Sequence, residues 1–384
     1  MKYNFDEIIP RRNTDSVKWD LAETGVLPMW VADMDFCTAP EITQALEKRA
    51  QQGVFGYPLT PAAFYDATTA WWQRRHGLAV DREWVVPMPS ILTALSTIMK
   101  AFTAPGDKVL LQSPAYNHFF TAIEDGGCAA VTNDLLHENG EYTIDFDDLE
   151  QKAADPGVKV MLLCNPHNPV GRVWTREELL RIGAICFNND VLVISDEIHS
   201  DLVFGEHVHV PFASLGPEFQ LKSVTASSPS KTFNLAGLQV AYLIAAAPDL
   251  KKRVEKALHA QGVLFLNPFG VDALIAAYNE GEAWMEELKI YLFDNYRYLC
   301  DYLAEHLPQF KVTPLEATYL VWINVSALQR PAKEITAALL KEQHLWINPG
   351  TLYGASGEGF VRVNIACPRE MLVDGLERLR AGVV

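Results

Sequence analysis

From Ile91 onward the sequence alternates helical stretches with short apolar runs, and that alternation leaves little freedom in what the chain can fold into. Ile91–Phe102 has helical spacing, Ala104-Pro105-Gly106-Asp107 is a turn, and Lys108–Gln112 is a strand. Tyr116–Ile123 then reads as a helix, Ala129–Thr132 as a strand, Asp145–Ala154 as a helix and Val158–Cys164 as an apolar strand. Thr175 and Glu178 have the spacing of a capping box, Val191–Ser195 is another apolar strand, and Lys222–Ala226 and Val240–Ala245 complete the series. Strands that are apolar throughout must be covered on both faces. The pattern therefore predicts an α/β fold whose large domain, residues 50–280, has a mainly parallel central sheet flanked by helices.

Residues 281–384 follow a different pattern, with a long helical stretch at Glu282–Leu307, strands at Tyr319–Val325 and Gly359–Ala366, and a helix at Ala332–Gln343. They predict a smaller α+β domain. Residues 1–49 form an arm broken by Pro10, Pro28 and Pro40, too apolar around Trp30–Phe36 to be a free tail and expected to complete the small domain. Thr38 and Glu41 have capping-box spacing at the start of a helix that Gly53 stops. Phe55-Gly56-Tyr57-Pro58 is a turn presenting a tyrosine, and Thr60-Pro61 opens a helix carrying Phe64, Trp71 and Trp72.

Three polar motifs stand at the ends of successive strands: Asn168 in Asn-Pro-His-Asn-Pro-Val-Gly-Arg, Asp196 in Ser-Asp-Glu-Ile-His, and Lys231 in Ser-Ser-Pro-Ser-Lys-Thr-Phe. Taken alone each is ordinary, since Asn-Pro pairs make turns, Asp-Glu pairs sit on solvated edges and loop lysines are common. Their order carries the signal, because strand ends of one open sheet converge where such folds bind ligands. An amine, an acid, an amide and the hydroxyls of Ser228 and Ser230 are the groups that an aldehyde cofactor with a pyridine nitrogen, a ring oxygen and a phosphate requires. The carboxylate keeps the pyridine nitrogen protonated, so that the ring accepts electrons.

Charge narrows the partners. A formal net charge of -16 and a pI near 5.1 argue against nucleic acid. The six cysteines include no Cys-x-x-Cys pair, so neither a bound metal nor a disulfide framework is expected and a reducing cytoplasm fits. Met1–Asn13 has no apolar core for a signal peptide, and the longest apolar run, Val240–Ala247, is too short to span a membrane. No Gly-x-Gly-x-x-Gly and no Gly-x-x-x-x-Gly-Lys occurs.

These motifs, with Trp30-Val31-Ala32-Asp33-Met34-Asp35-Phe36 and Arg362 in Phe-Val-Arg-Val-Asn, resemble the fold-type I pyridoxal-phosphate enzymes of the class I/II aminotransferase superfamily over nearly the whole chain. Within that superfamily the chain looks most like the MalY/PatB-type cystathionine β-lyases. The resemblance implies pyridoxal 5'-phosphate as cofactor, Lys231 as the Schiff-base lysine and proton carrier, Asp196 as partner of the pyridine nitrogen, and Asn168 as ligand of the ring hydroxyl. It implies Tyr116 stacked on the cofactor ring, and Ser228 with the backbone of Ser90 and Ile91 on the phosphate, in keeping with the anion preference of helix N-termini. Arg362 would pair with the substrate carboxylate, helped by the backbone near Ala32. Tyr57 matches a tyrosine that reaches across a two-fold interface to the neighbour's phosphate, which implies a homodimer with shared sites.

Two positions depart from the broader aminotransferase pattern: Gln239 stands where many members carry a phosphate-binding arginine, and His199 where they carry a tyrosine. Both favour the lyase subgroup. The expected activity is β-elimination from cystathionine or a related cysteine S-conjugate to a thiol, pyruvate and ammonia. The alternatives are transamination of an L-amino acid, which starts from the same proton abstraction, and a regulator-binding protein with residual lyase activity, toward which no residue points.

Overall fold

The computed structural model describes residues 2–383. Its centre is a seven-stranded sheet with spatial order Val85–Met88, Ala241–Ile244, Ser223–Ser227, Leu192–Asp196, Val158–Cys164, Lys108–Ser113, Ala129–Asp134. Ala241–Ile244 runs antiparallel to both its neighbours, and every other pairing is parallel. Alternate residues face opposite cores: Val160, Leu162 and Cys164 pack with the helices Ile91–Phe102 and Pro248–Ala260, whereas Met161 and Leu163 pack with Phe146–Ala153 and Arg176–Asn188. Both faces of the central strands are thus buried, the condition that makes them largely apolar, whereas the edge strand Ala129–Asp134 is mostly open to solvent.

A four-stranded antiparallel sheet, in the order Lys311–Val312, Leu320–Asn324, Phe360–Asn364, Asn348–Pro349, lies in the C-terminal part with the helices Glu282–His306 and Arg369–Ala381. The N-terminal arm joins it. Leu27–Pro28 pairs in parallel with Leu345–Trp346, and Trp30 stacks on Trp346 with ring centroids 4.5 Å apart.

Helix and strand starts follow local chemistry where side chains are free to cap. Thr175 and Glu178 form the full reciprocal box, and Ser90 accepts from the Thr93 amide. Thr38 does not cap. The helix Pro40–Gln52 has Ala39 at its N-cap, and the Thr38 hydroxyl instead donates to the Phe233 carbonyl at 2.7 Å. A distant carbonyl beside the Lys231 loop thus takes the hydroxyl that spacing assigned to a local amide. The strand Val85–Met88 and the helices Pro248–Ala260, Pro268–Glu280 and Arg369–Ala381 were not among the elements read from the sequence.

Candidate functional site

Register builds the site. Cys164 pairs with Asp196 and Asp196 with Ala226, so three adjacent parallel strands reach their carboxyl ends at one level. The pairing extends one step further, with the Asn165 amide on the Asp196 carbonyl at 2.9 Å and the Glu197 amide on the Ala226 carbonyl at 2.8 Å. Asn168 follows its strand by four residues and Lys231 follows its own by four, which brings both over the end of the sheet beside Asp196. The Asn168 turn is pinned from below by His167 Nε2 against the Pro114 carbonyl at 2.7 Å and by Trp174 Nε1 donating to the Cys164 carbonyl at 2.9 Å.

A cavity of about 210 Å³ opens there, of small-molecule size and far larger than a water site. Of the residues singled out in the sequence, Lys231, Asp196, Asn168, Tyr116, His199, Ile91, Arg362 and Ala32 line it. Arg362 comes from the middle strand of the C-terminal sheet and is 4% exposed. Its guanidinium donates to Asn168 Oδ1 at 3.2 Å and to the Trp30 carbonyl at 2.9 Å, and lies 4.5 Å over the Tyr353 ring. Lys231 Nζ donates to the Ala32 carbonyl at 2.6 Å, which also accepts from Tyr319 OH at 2.9 Å.

Electrostatics follow from removing these groups from bulk water. Burial lifts the Asp196 carboxyl to about 7 against one amide donor, Ile198, and the Glu197 charge pushes the same way. Lys231 lines the cavity; burial, with the Arg362 charge, lowers its amine to about 8. The same causes, with Lys231, bring His199 down to about 3, so its ring is neutral. Burial raises the Tyr116 hydroxyl.

The other three residues lie off the cavity lining. Ser90 caps the helix that begins at Ile91 by accepting from the Thr93 amide, and the Ile91 and Leu92 amides, which have no partner within the helix, are left to meet an anion. Ser228 Oγ donates to the Val240 carbonyl at 2.7 Å and accepts from the Ser230 amide at 3.0 Å, so an incoming anion would exchange for an existing contact. Tyr57 is 91% exposed, with its ring against Phe265 at a centroid distance of 5.3 Å. Gln239 is spent locally, donating to the Ala236 carbonyl at 3.1 Å.

The lining also holds Trp30, Asn117, His118, Leu352, Tyr353 and Asn348, none of which was identified as a site residue from the sequence. Asn117 and His118 adjoin Tyr116 and could have been flagged by proximity. Tyr353 and Asn348 come from a loop and a two-residue strand with no pattern of their own.

Pyridoxal phosphate fits this donor set. His199 Nδ1 and Arg362 Nε are buried with no hydrogen-bond partner among the described residues, and one lysine amine, one buried carboxyl and a helix start share the same cavity. Unpaired buried polar groups are costly, and a polar ligand satisfies them.

Comparison with known proteins identifies the family. Residues 25–379 match the family described as aminotransferase class I and II. The chain is 44% identical to cystathionine β-lyase PatB of Bacillus subtilis, covering 99% of this chain and 100% of that one. Among solved structures, cystalysin from Treponema denticola, which contains a pyridoxal 5'-phosphate cofactor, superposes with a TM-score of 0.97 at 33% identity, covering 100% of this chain and 99% of that one. The PLP-bound C-S lyase from Staphylococcus hominis gives 0.93 at 35%, with the same coverage.

Proposed function

Because the chain belongs to the class I and II aminotransferase family, we propose that it is a pyridoxal-phosphate-dependent carbon–sulfur β-lyase, cleaving cystathionine or a related cysteine S-conjugate to a thiol, pyruvate and ammonia. The observation that carries the reading is the convergence of Lys231, Asp196, Asn168 and Arg362 on one cavity; the likeness to a cystathionine β-lyase directs it to sulfur substrates.

The cofactor, when bound, supplies an electron sink for the pair left when an amino acid's α-carbon loses its proton. Lys231 would hold the cofactor and, through a Nζ whose basicity burial has brought near neutrality, take that proton. Asp196 would keep the proton on the pyridine nitrogen. A cation in contact would draw this buried carboxyl back to its charged form. Asn168 would hold the ring oxygen, Tyr116 would cover the ring face and His199 would donate nearby as a neutral ring. The phosphate would sit between Ile91, Ser90 and Ser228. Arg362 is the only guanidinium among the described residues lining the cavity and would take the substrate carboxylate beside the Ala32 backbone.

The protein would act as a homodimer with Tyr57 reaching the partner's phosphate, a role its exposure supports. Residues 1–49 with 281–384 would form the small domain and 50–280 the large one, in keeping with where the two sheets lie. Six free thiols support a cytoplasmic setting. No helix among the described residues is long and apolar enough to cross a membrane.

Transamination uses the same residues, so the deciding experiment is pyruvate release from cystathionine with no keto acid added. A strict requirement for a keto acid would overturn the lyase reading.

A further inference from the structure

Asp196 and Lys231 face the cavity, and each is followed in the chain by a polar residue that turns away from it. Glu197 is fully buried behind Asp196. Its Oε1 accepts from Ser195 Oγ at 2.7 Å and from the Phe212 amide at 3.0 Å, and its Oε2 lies 2.7 Å from His209 Nε2. Behind Lys231, Thr232 Oγ1 donates to Asp201 Oδ2 at 2.9 Å. Asp201 Oδ1 accepts from Trp71 Nε1 at 3.1 Å and lies 3.0 Å from His76 Nε2. The two halves meet where the His76 and His209 rings pack edge to face, centroids 5.3 Å apart and planes at 84°. An unbroken array of side chains thus runs from the residue after Asp196 to the residue after Lys231.

We propose that Glu197, His209, His76 and Asp201 form one buried brace that sets the placement of Asp196 relative to Lys231, with Glu197 also holding negative charge behind Asp196. None of the four lines the cavity, so they are positioning residues and touch neither cofactor nor substrate. Two buried carboxylates are costly to keep unless each is fully paired. Here each carboxylate has three partners, and the pairing ties the segment after Leu192–Asp196 to the loop after Ser223–Ser227, with His209 Nδ1 left unpartnered among the described residues. Burial holds His209 below its ordinary range, so near neutrality its ring does not cancel the Glu197 charge. Other charges in the surroundings are Arg75 and Lys289, which face Asp201, and Lys231, which faces Asp196.

The proposal rests on Asp196 and Lys231 being the cofactor's partners, and the test separates the two ideas. Glu197→Gln removes the charge and Thr232→Val removes the hydroxyl link, both with little change of shape. Pyridoxal phosphate affinity is measured by absorbance titration of the cofactor-free protein, with thermal melting as the check on folding. Each single variant should bind the cofactor about tenfold more weakly, the scale expected when a group orienting a ligand's partner is lost. The double variant should lose less than the product of the two, because parts of one network are not additive.

Negative charge near the bound cofactor favours its protonated form, so Glu197→Gln should also move the pH midpoint of the bound cofactor's absorbance downward, while Thr232→Val leaves it in place. In the cofactor-free protein, Glu197→Gln should shift the ring resonances of His76 through His209. Failure of the unsubstituted protein to bind pyridoxal phosphate would count against the site, and the His76 resonance would still test the brace. His209→Gln removes the ring that joins Glu197 to His76 and replaces Glu197→Gln in the affinity and His76 measurements if that variant does not fold. Unchanged affinity in both singles, a fully multiplicative double, or a His76 ring indifferent to Glu197 would overturn the proposal.

Discussion

Arg362→Lys tests the substrate end of the site most directly. Arg362 is 4% exposed and its guanidinium already spans two acceptors, Asn168 Oδ1 and the Trp30 carbonyl, with a third nitrogen, Nε, unpaired among the described residues. A lysine at this position keeps the charge but has one nitrogen, so it cannot meet both those acceptors and a two-oxygen anion from the same fork. One charge-assisted hydrogen bond is lost, about 1.5–3 kcal/mol, which corresponds to a roughly 10- to 150-fold weaker interaction with the carboxylate. The carboxylate stays bound while bonds change at Cα and Cβ, so the loss should fall equally on ground and transition states. KM for cystathionine should therefore rise by that factor while kcat changes only a few-fold. Pyruvate formation, coupled to its reduction by NADH, measures both constants. A decarboxylated cysteine S-conjugate, measured by its binding affinity, should be nearly indifferent to the substitution. A fall in kcat at constant KM, or equal sensitivity of the analogue lacking the carboxylate, would refute the assignment of Arg362 to the substrate carboxylate.

Lys231→Ala should lose the cofactor's protein-linked absorbance and nearly all turnover, because in the proposed site one residue would supply both the attachment and the proton carrier; a cofactor bond still reducible by borohydride would remove Lys231 from the role. Asp196→Asn should cost on the order of 10² in kcat, the scale for losing one positioned charge. In the cofactor-free protein the same variant should be more stable than the parent at pH 8. The Asp196 carboxyl is raised from 3.8 to about 7, so the parent loses stability as pH rises through that window. The advantage should reach about 4 kcal/mol above pH 7 and vanish below pH 4, and denaturant melts across that range would show it or its absence. Mixing Lys231→Ala with Tyr57→Phe chains should restore roughly a quarter of parental sites, since about half the dimers are mixed and one of their two sites is whole. Activity no higher than the mean of the two parents, with subunit exchange shown by mass, would exclude a shared site.

The parallel sheet was legible in the chain because both faces of its central strands are buried, and strands under that constraint are apolar along most of their length: Val158–Cys164, charged only at the exposed Lys159 near its start, has the same bounds in pattern and in structure. The order Asn168, Asp196, Lys231 was legible for the same reason, since each follows such a strand. What sequence could not supply was distance. Arg362 meets Asn168 across 194 positions and Lys231 meets Ala32 across 199, contacts created by the packing of the arm and the C-terminal sheet against the strand ends. Thr38 shows the same limit from the other side: its spacing satisfies a local rule, yet a carbonyl 195 positions away offered its hydroxyl a better partner. The brace behind Asp196 is further still from any motif, because Glu197, His209, His76 and Asp201 are ordinary residues until packing removes them from water and leaves them to bond within the protein. Local chemistry and periodicity determine which elements form and which polar residues end them, whereas desolvation, which depends on what lies on every side, decides which of those residues become a site.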